Sequence, residues 1–175
     1  MIQPTLLLGL PAYLCLEQIE IASHALTLSL AVETASAACP LCQQKSSRIH
    51  SHYIRTLADL PCGGKALRLI VVIRRFFCEN EACARKIFAE RLPDLTSVYA
   101  RRTTRCRETL AEPGFALGGK AAAGLSAHLS VQSSRMTILR ILRQVPVPST
   151  RTPKMLGGDE FALRRGKKYG TILIN

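Results

Sequence analysis

The sequence is poor in acidic residues, in long apolar runs and in basic residues near its start. Against 24 Lys and Arg there are 12 Asp and Glu, a net charge of +12, and Arg provides 17 of the 24 cations. This shortage of carboxylates points to a polyanionic partner, either nucleic acid or an anionic surface. Residues 1–35 hold Glu17, Glu20 and Glu33 and neither Lys nor Arg, so the whole positive excess lies beyond them. The most apolar early stretch, Leu6 to Leu16, contains Pro11 and is about half the length of a spanning helix, which argues against membrane insertion. The first ten residues carry no positive charge, so a secretory signal is not expected. Seven cysteines are an odd number for a disulfide framework. Without a signal they predict a reducing, cytoplasmic compartment in which thiols are free or bound to metal.

What is present suits a globular chain. Its 175 residues, 47% apolar and 21% charged, are enough for one ordinary domain or two small ones. Segment 14–34 predicts two strands joined at Ser23-His24, with Leu26, Leu28, Leu30 and Val32 alternating in the second. Segment 67–77 is rich in Ile, Val and Phe and predicts a buried strand of the same sheet. From Ser97 the pattern becomes helical. Segment 101–112 has Cys106 and Leu110 on one side and is expected to stop at Pro113-Gly114. Segment 119–144 predicts two helices with a break near Ser130. Val145 to Pro153 holds three prolines and reads as a semi-extended linker. Leu156 to Asn175 predicts two strands around the basic turn Arg164 to Lys168.

Two cysteine pairs, Cys39/Cys42 and Cys78/Cys83, flank a 35-residue insert that reads as sheet. A structural zinc ion takes four thiolates in a tetrahedron. A two-residue gap lets both sulfurs of one turn converge, and Glu79-Asn80-Glu81-Ala82 supplies a looser second turn. A redox pair would normally open a helix, which Pro40 and the following polar turn do not provide. His50 and His52 are alternative ligands, in an extended stretch and without a spacing partner. Cys15, Cys62 and Cys106 have no partner in sequence and read as small apolar residues.

Segment 122–141 fits a helix-turn-helix template, with Leu125, Leu129, Val131, Met136 and Leu139 at buried positions. Ser126 stands at the small-residue position and Ser130 at the turn position where Gly is usual. Ser133 or Ser134 would cap the second helix. That helix would turn Gln132, Ser133, Ser134 and Thr137 toward base edges, leaving Arg135, Arg140 and Arg143 for phosphates. Ile138 and Ile141 fall near the outward face, either against thymine methyls or because the register is off by one. A plain helical hairpin has the same apolar spacing, but it has no need of three arginines on one helix. Arg101, Arg102, Arg105 and Arg107 form a second basic group, expected on the preceding helix.

Cys39-Pro-Leu-Cys42, His50-Ser-His-Tyr-Ile-Arg55-Thr-Leu-Ala-Asp59-Leu-Pro61 and Arg74-Arg-Phe-Phe-Cys78 closely resemble the N-terminal region of ISL-three-type insertion-sequence transposases. So do Ile87-Phe-Ala-Glu-Arg-Leu-Pro93, Tyr99-Ala-Arg-Arg-Thr103, the Gly118-Gly119 region and Asp159-Glu-Phe-Ala-Leu-Arg-Arg-Gly166. The resemblance implies that zinc-finger and helical modules bind the terminal inverted repeats of a mobile element. It also implies a following RNase-H-like domain in which three carboxylates hold two magnesium ions for in-line displacement. Asp159 matches the first of those carboxylates, at the end of a first strand. Gly158 stands where the family has a β-branched residue, and Asn175 where it has Asp and a long continuation. A lone Asp does not hold two metals, so the expectation is a truncated transposase that does not catalyse transposition by itself.

The expected fold class is α+β. It comprises a zinc-stapled β module (1–95), an all-α helix-turn-helix module (96–144), a linker (145–155) and a short β stub of an RNase-H-like domain (156–175). The expected partners are double-stranded DNA and either a second copy or an intact transposase, with no membrane and a nucleoid location. The alternatives are a free-standing zinc-finger and helix-turn-helix regulator, or a remnant whose segment Tyr169 to Ile174 is an unpaired edge.

Overall fold

The structure is a computed structural model and describes residues 4–146, 157–164, 166 and 168–174. Its fold is mixed α+β. The chain divides into two compact units, Met1–Gln144 and Val145–Asn175. Most of the expected linker lies outside the described residues, as do Arg165 and Lys167 of the expected basic turn.

The first unit opens with a short helix, α1 (Pro4–Leu7), and then strands β1 (Leu14–Ile21) and β2 (Ala25–Val32). The small hairpin β3 (Ala37–Ala38) and β4 (Lys45–Ser46) follows, then the long strands β5 (Ile49–Cys62) and β6 (Lys65–Phe77), and β7 (Ile87–Ala89). The main sheet runs β1-β2-β6-β5, and β7 also pairs with β6. β2 and β6 are parallel over Ala25–Leu30 and Ala66–Val71, whereas the other pairs are antiparallel. The alternation expected of β2, which β6 shows as well, sets the core. Leu28, Leu30 and Val32 of β2 and Leu67, Leu69, Val71 and Ile73 of β6 are buried on one face, where Leu10, Leu14, Leu57, Leu92 and Leu95 join them.

β5 falls within the insert that reads as sheet from the sequence, but its apolar residues do not alternate and so do not fix its bounds. His52, Ile54 and Thr56 are exposed while Leu57 and Asp59 are buried. Its 14 residues hold their place through the ladder with β6, from Ile49↔Phe76 to Cys62↔Lys65.

Helix α2 (Thr104–His128) is broken at Gly118, where φ is 74° and ψ 173°. It starts three residues later than expected, so Arg101 and Arg102 lie in the loop before it. The reason is Thr103, whose hydroxyl accepts the Cys106 N–H and caps the helix. The expected stop at Pro113-Gly114 is also overturned, because the helix runs through both residues. Gly114 is a packing notch. A Cβ there would lie 2.8 Å from Cγ2 of Ile138 and 3.0 Å from Cδ2 of Leu142. Gly119 has the same role, with Leu139 Cγ at 3.0 Å and the Arg135 carbonyl at 3.1 Å from such a Cβ. Only a residue without a side chain lets helix α3 (Arg135–Leu142) come this close.

The apolar register of this helical part differs from the expected one. Ile138 and Ile141, placed outward from the sequence, are buried together with Cys106, Leu110, Ala122 and Val131. Leu125, Leu129 and Met136, placed inward, are 41%, 58% and 47% exposed. The notches at Gly114 and Gly119 decide which side of α3 turns inward, and periodicity alone does not show them. The small buried position at Ser126 does occur as expected.

The second unit is a hairpin of β8 (Gly157–Arg164) and β9 (Lys168–Ile174). Tyr169 to Ile174 pairs on one side with Gly157–Ala162 of β8, and in this two-stranded sheet no other described strand pairs with its second edge. Asp159 lies inside this ladder opposite Ile172, as the third residue of β8 and not at a strand end.

Candidate metal centre and nucleic-acid interface

The sequence brings Cys39 and Cys42 together by a tight turn between β3 and β4. Gln43 adopts a left-handed φ of 61° and donates its N–H to the Cys39 carbonyl at 2.9 Å, while the Cys39 N–H donates to Gln44 O at 2.9 Å. The second pair follows β6 directly. The Cys78 N–H donates to Lys86 O at 2.8 Å and the Cys83 N–H to Asn80 O at 3.0 Å. The Asn80 side chain accepts the Ala82 N–H at 3.0 Å, which closes the looser turn.

The four sulfurs all lie within 4.8 Å of one another, with Cys42 and Cys78 at 3.6 Å. Tetrahedral thiolate coordination at ~2.3 Å places sulfurs about 3.8 Å apart, so the donor set fits a structural zinc site. Behind it, Phe76 and Phe88 are buried and stacked at 5.9 Å between centroids. The backbone N–H groups of Cys42 and Leu41 favour the Cys39 thiolate and lower its pKa to about 6, burial opposing them. At Cys78 the Asn80 N–H also favours the thiolate. Desolvation and the neighbouring Cys42, Cys39 and Cys83 outweigh it and push the thiol up to about 12. Thiols this close resist sharing negative charge, which a divalent cation would reverse. His50 and His52 are not in this cluster, and the His50 Nδ1 meets Ser51 Oγ at 2.8 Å.

Elsewhere the motif residues hold the unit together. Buried Glu90 accepts from Arg74 Nη2 at 2.6 Å and from the Arg74 backbone N–H at 2.7 Å. The same guanidinium donates to Thr34 O and Oγ1, both at 2.6 Å, joining the end of β2 to β6. Asp59, 3% exposed, accepts from Thr103 Oγ1 at 2.5 Å and from Arg105 Nε at 2.9 Å, with Arg105 Nη2 completing a bidentate pair. Arg105 Nη1 also donates to the Leu8 carbonyl. Arg105 was expected on DNA; its guanidinium is instead taken up by this tie. Residue spacing gave no signal for these long-range pairs.

Four of the remaining basic residues meet in a groove of about 770 Å³ between loop 97–102 and α3. Arg101, Arg102, Arg107 and Arg140 line it with Tyr99 and Thr137, and no carboxylate does. Among the described residues the ion pairs are Arg74–Glu90 and Arg105–Asp59, so neither takes a groove arginine. Arg102 Nη2 donates to Gln132 O at 2.8 Å, while its buried Nε has no acceptor. Arg107 donates to Ser97 Oγ at 2.7 Å and to Gln144 Oε1 at 2.5 Å. Ser134 caps α3 by accepting the Thr137 N–H at 3.2 Å. Gln132, Arg135 and Arg143 lie outside the groove lining, and the Ser133 hydroxyl is buried without a partner. In the second unit Asp159 is exposed, its carboxylate accepting the Glu160 N–H at 2.8 Å.

No helix among the described residues is long and apolar enough to cross a membrane. No curated protein and no solved structure matches the chain. Residues 35–83, a span that takes in both cysteine turns and β5 and β6, match the family model for the zinc-finger of transposase IS204/IS1001/IS1096/IS1165. That match, laid on four converging sulfurs, supports a transposase-related DNA-binding role built on a structural zinc site.

Proposed function

We propose that this chain is a DNA-recognition part of an ISL-three-type transposase, binding the terminal inverted repeats of a mobile element. The observation that carries the reading is the acid-free groove of four arginines, on a unit whose cysteine turns match a transposase zinc finger. Zinc, when bound, holds the two cysteine turns together. The residues of this chain then do the binding. Arg101 and Arg140 neutralise phosphates, and Thr137 on the same groove reaches the sugar-phosphate edge or a base. Residues 122–141 act as the helix-turn-helix. Support comes from Ser130, which takes a left-handed φ of 60° at the turn, and from the Ser134 cap. The turn is held on both sides, by Ser130 Oγ on Gly64 O at 2.9 Å and by Arg102 on Gln132 O.

Strand transfer is not assigned to these residues, since the exposed Asp159 is a single carboxylate and two-metal chemistry needs several. The test is duplex binding followed by anisotropy over a salt series. Affinity falls steeply with salt, and each phosphate contact adds about 0.9 to the slope. Arg140→Ala and Arg101→Ala each reduce that slope by about one, on inverted-repeat and scrambled duplexes alike. Salt-independent binding, or an unchanged slope in both variants, removes the groove from the interface. A tighter complex with the inverted repeat than with its scramble separates the transposase reading from a regulator with another site.

A further inference from the structure

Tyr99 stands out in the first unit. It is 94% exposed and sits at a left-handed φ of 59°, an uncommon conformation for a bulky residue. The strain is not loop looseness, because the loop is bolted at both ends. Arg55 Nη2, reaching from β5, donates to Ser97 O at 2.8 Å and to Ala100 O at 2.6 Å. Thr96 Oγ1 donates to Arg102 O at 2.9 Å, and the Ala58 N–H donates to Arg101 O at 2.9 Å. An aromatic ring is thus held in water by an anchored backbone, beside the arginines of the groove. Exposing a ring in this way forgoes burial that other aromatics of the chain, such as Phe76 and Phe88, obtain. A flat π-face next to phosphate-binding cations is the arrangement that stacks on a nucleobase.

We infer that Tyr99 stacks on an unstacked base of DNA whose phosphates lie on Arg101 and Arg140, so that the groove prefers locally opened duplex to perfect duplex. The inference rests on the reading of the groove as a DNA interface. Stacking is sequence-tolerant, since every base has a π-face, and it therefore acts on DNA shape and not on base identity. Wedging a side chain at a base step is least costly where the step is already unpaired.

The experiment uses the full zinc-loaded chain and two labelled duplexes, one perfect and one with a single unpaired 2-aminopurine. The wild type binds the bulged duplex roughly ten-fold tighter and quenches the 2-aminopurine fluorescence. Tyr99→Phe keeps both effects. Tyr99→Gly loses both the preference and the quenching; glycine also suits the positive φ, so the fold is not at risk. Equal affinity of the wild type for the two duplexes overturns the inference, as does a preference that survives Tyr99→Gly. A Tyr99→Gly chain that changes oligomeric state and keeps the preference assigns the ring to a protein contact and overturns it too. If perfect duplex itself shows no salt-dependent binding, the DNA reading fails as well, and that failure is visible separately.

Discussion

Arg105 on the first turn of α2 closes a bidentate pair on Asp59 of β5, and this contact fastens the helical part to the sheet. Thr103 adds its hydroxyl to the same carboxylate, and that hydroxyl also caps α2. A single buried carboxylate therefore sets both where the helix begins and how it meets the sheet. The Asp59 hydrogen bond is the main reason the Arg105 guanidinium is held above its ordinary pKa.

Breaking that tie is costly because it leaves a charge or a hydroxyl without its partner. Asp59→Ala is expected to destabilise the chain by about 3 kcal/mol in urea unfolding. Arg105→Ala costs a similar amount, and the double variant costs clearly less than the two added together. Additive losses would show that the two residues act independently.

The metal site has a stoichiometric test. Purified chain is expected to hold one zinc ion, and Cys39→Ser or Cys78→Ser to lose it, as measured by elemental analysis. Chelation of the wild type should loosen β3, β4 and β7, seen as faster amide exchange there than in β2 and β6. A wild-type chain purified under reducing conditions without zinc, and taking up none, ends the metal assignment.

Two helical glycines are expected to answer oppositely to alanine. Gly114→Ala forces a methyl into Ile138 and Leu142, and overpacking of about 1–3 kcal/mol outweighs the helix gain. Gly124→Ala meets nothing within 4 Å and should stabilise the chain by up to about 1 kcal/mol. Thermal unfolding of the two variants decides the point, and equal shifts would remove the notch from the account.

Alkaline pH should weaken the fold through Cys106. Burial pushes this thiol up from its ordinary 9.0 to about 11. Between those values the native chain keeps the proton and the unfolded chain does not, so stability falls as pH rises. The contribution is fully present below pH 9 and is lost on the way to 11, with about 1.4 kcal/mol going for each pH unit crossed. Cys106→Ala should flatten that part of the stability profile, and an unchanged slope would exclude the thiol as its source.

The cysteine pairs are legible in the sequence because a metal turn is a local object. Cys39 and Cys42 close within a few residues, and so do Cys78 and Cys83. The alternating Leu26, Leu28 and Leu30 of β2 are legible for the same reason, since the strand period is written residue by residue, and β6 is legible from its Ile, Val and Phe content. The start of α2 is displaced by three residues from its sequence-based position because the Thr103 cap competes with a run of arginines that reads as helix. β5 is legible only as part of a sheet-like insert, because its bounds and register come from pairing with β6 and not from its own pattern.

What the sequence alone determined is therefore short-range: charge excess, strand periods, cysteine turns and the capping serine. Only the tertiary structure decided which face of α3 is buried, because a missing Cβ at Gly114 and Gly119 has meaning only when another helix arrives. It likewise decided which arginines remain available for a polyanion. Arg74 and Arg105 met the buried carboxylates of Glu90 and Asp59, distant in the chain, Arg101 and Arg140 did not, and composition counts all four alike.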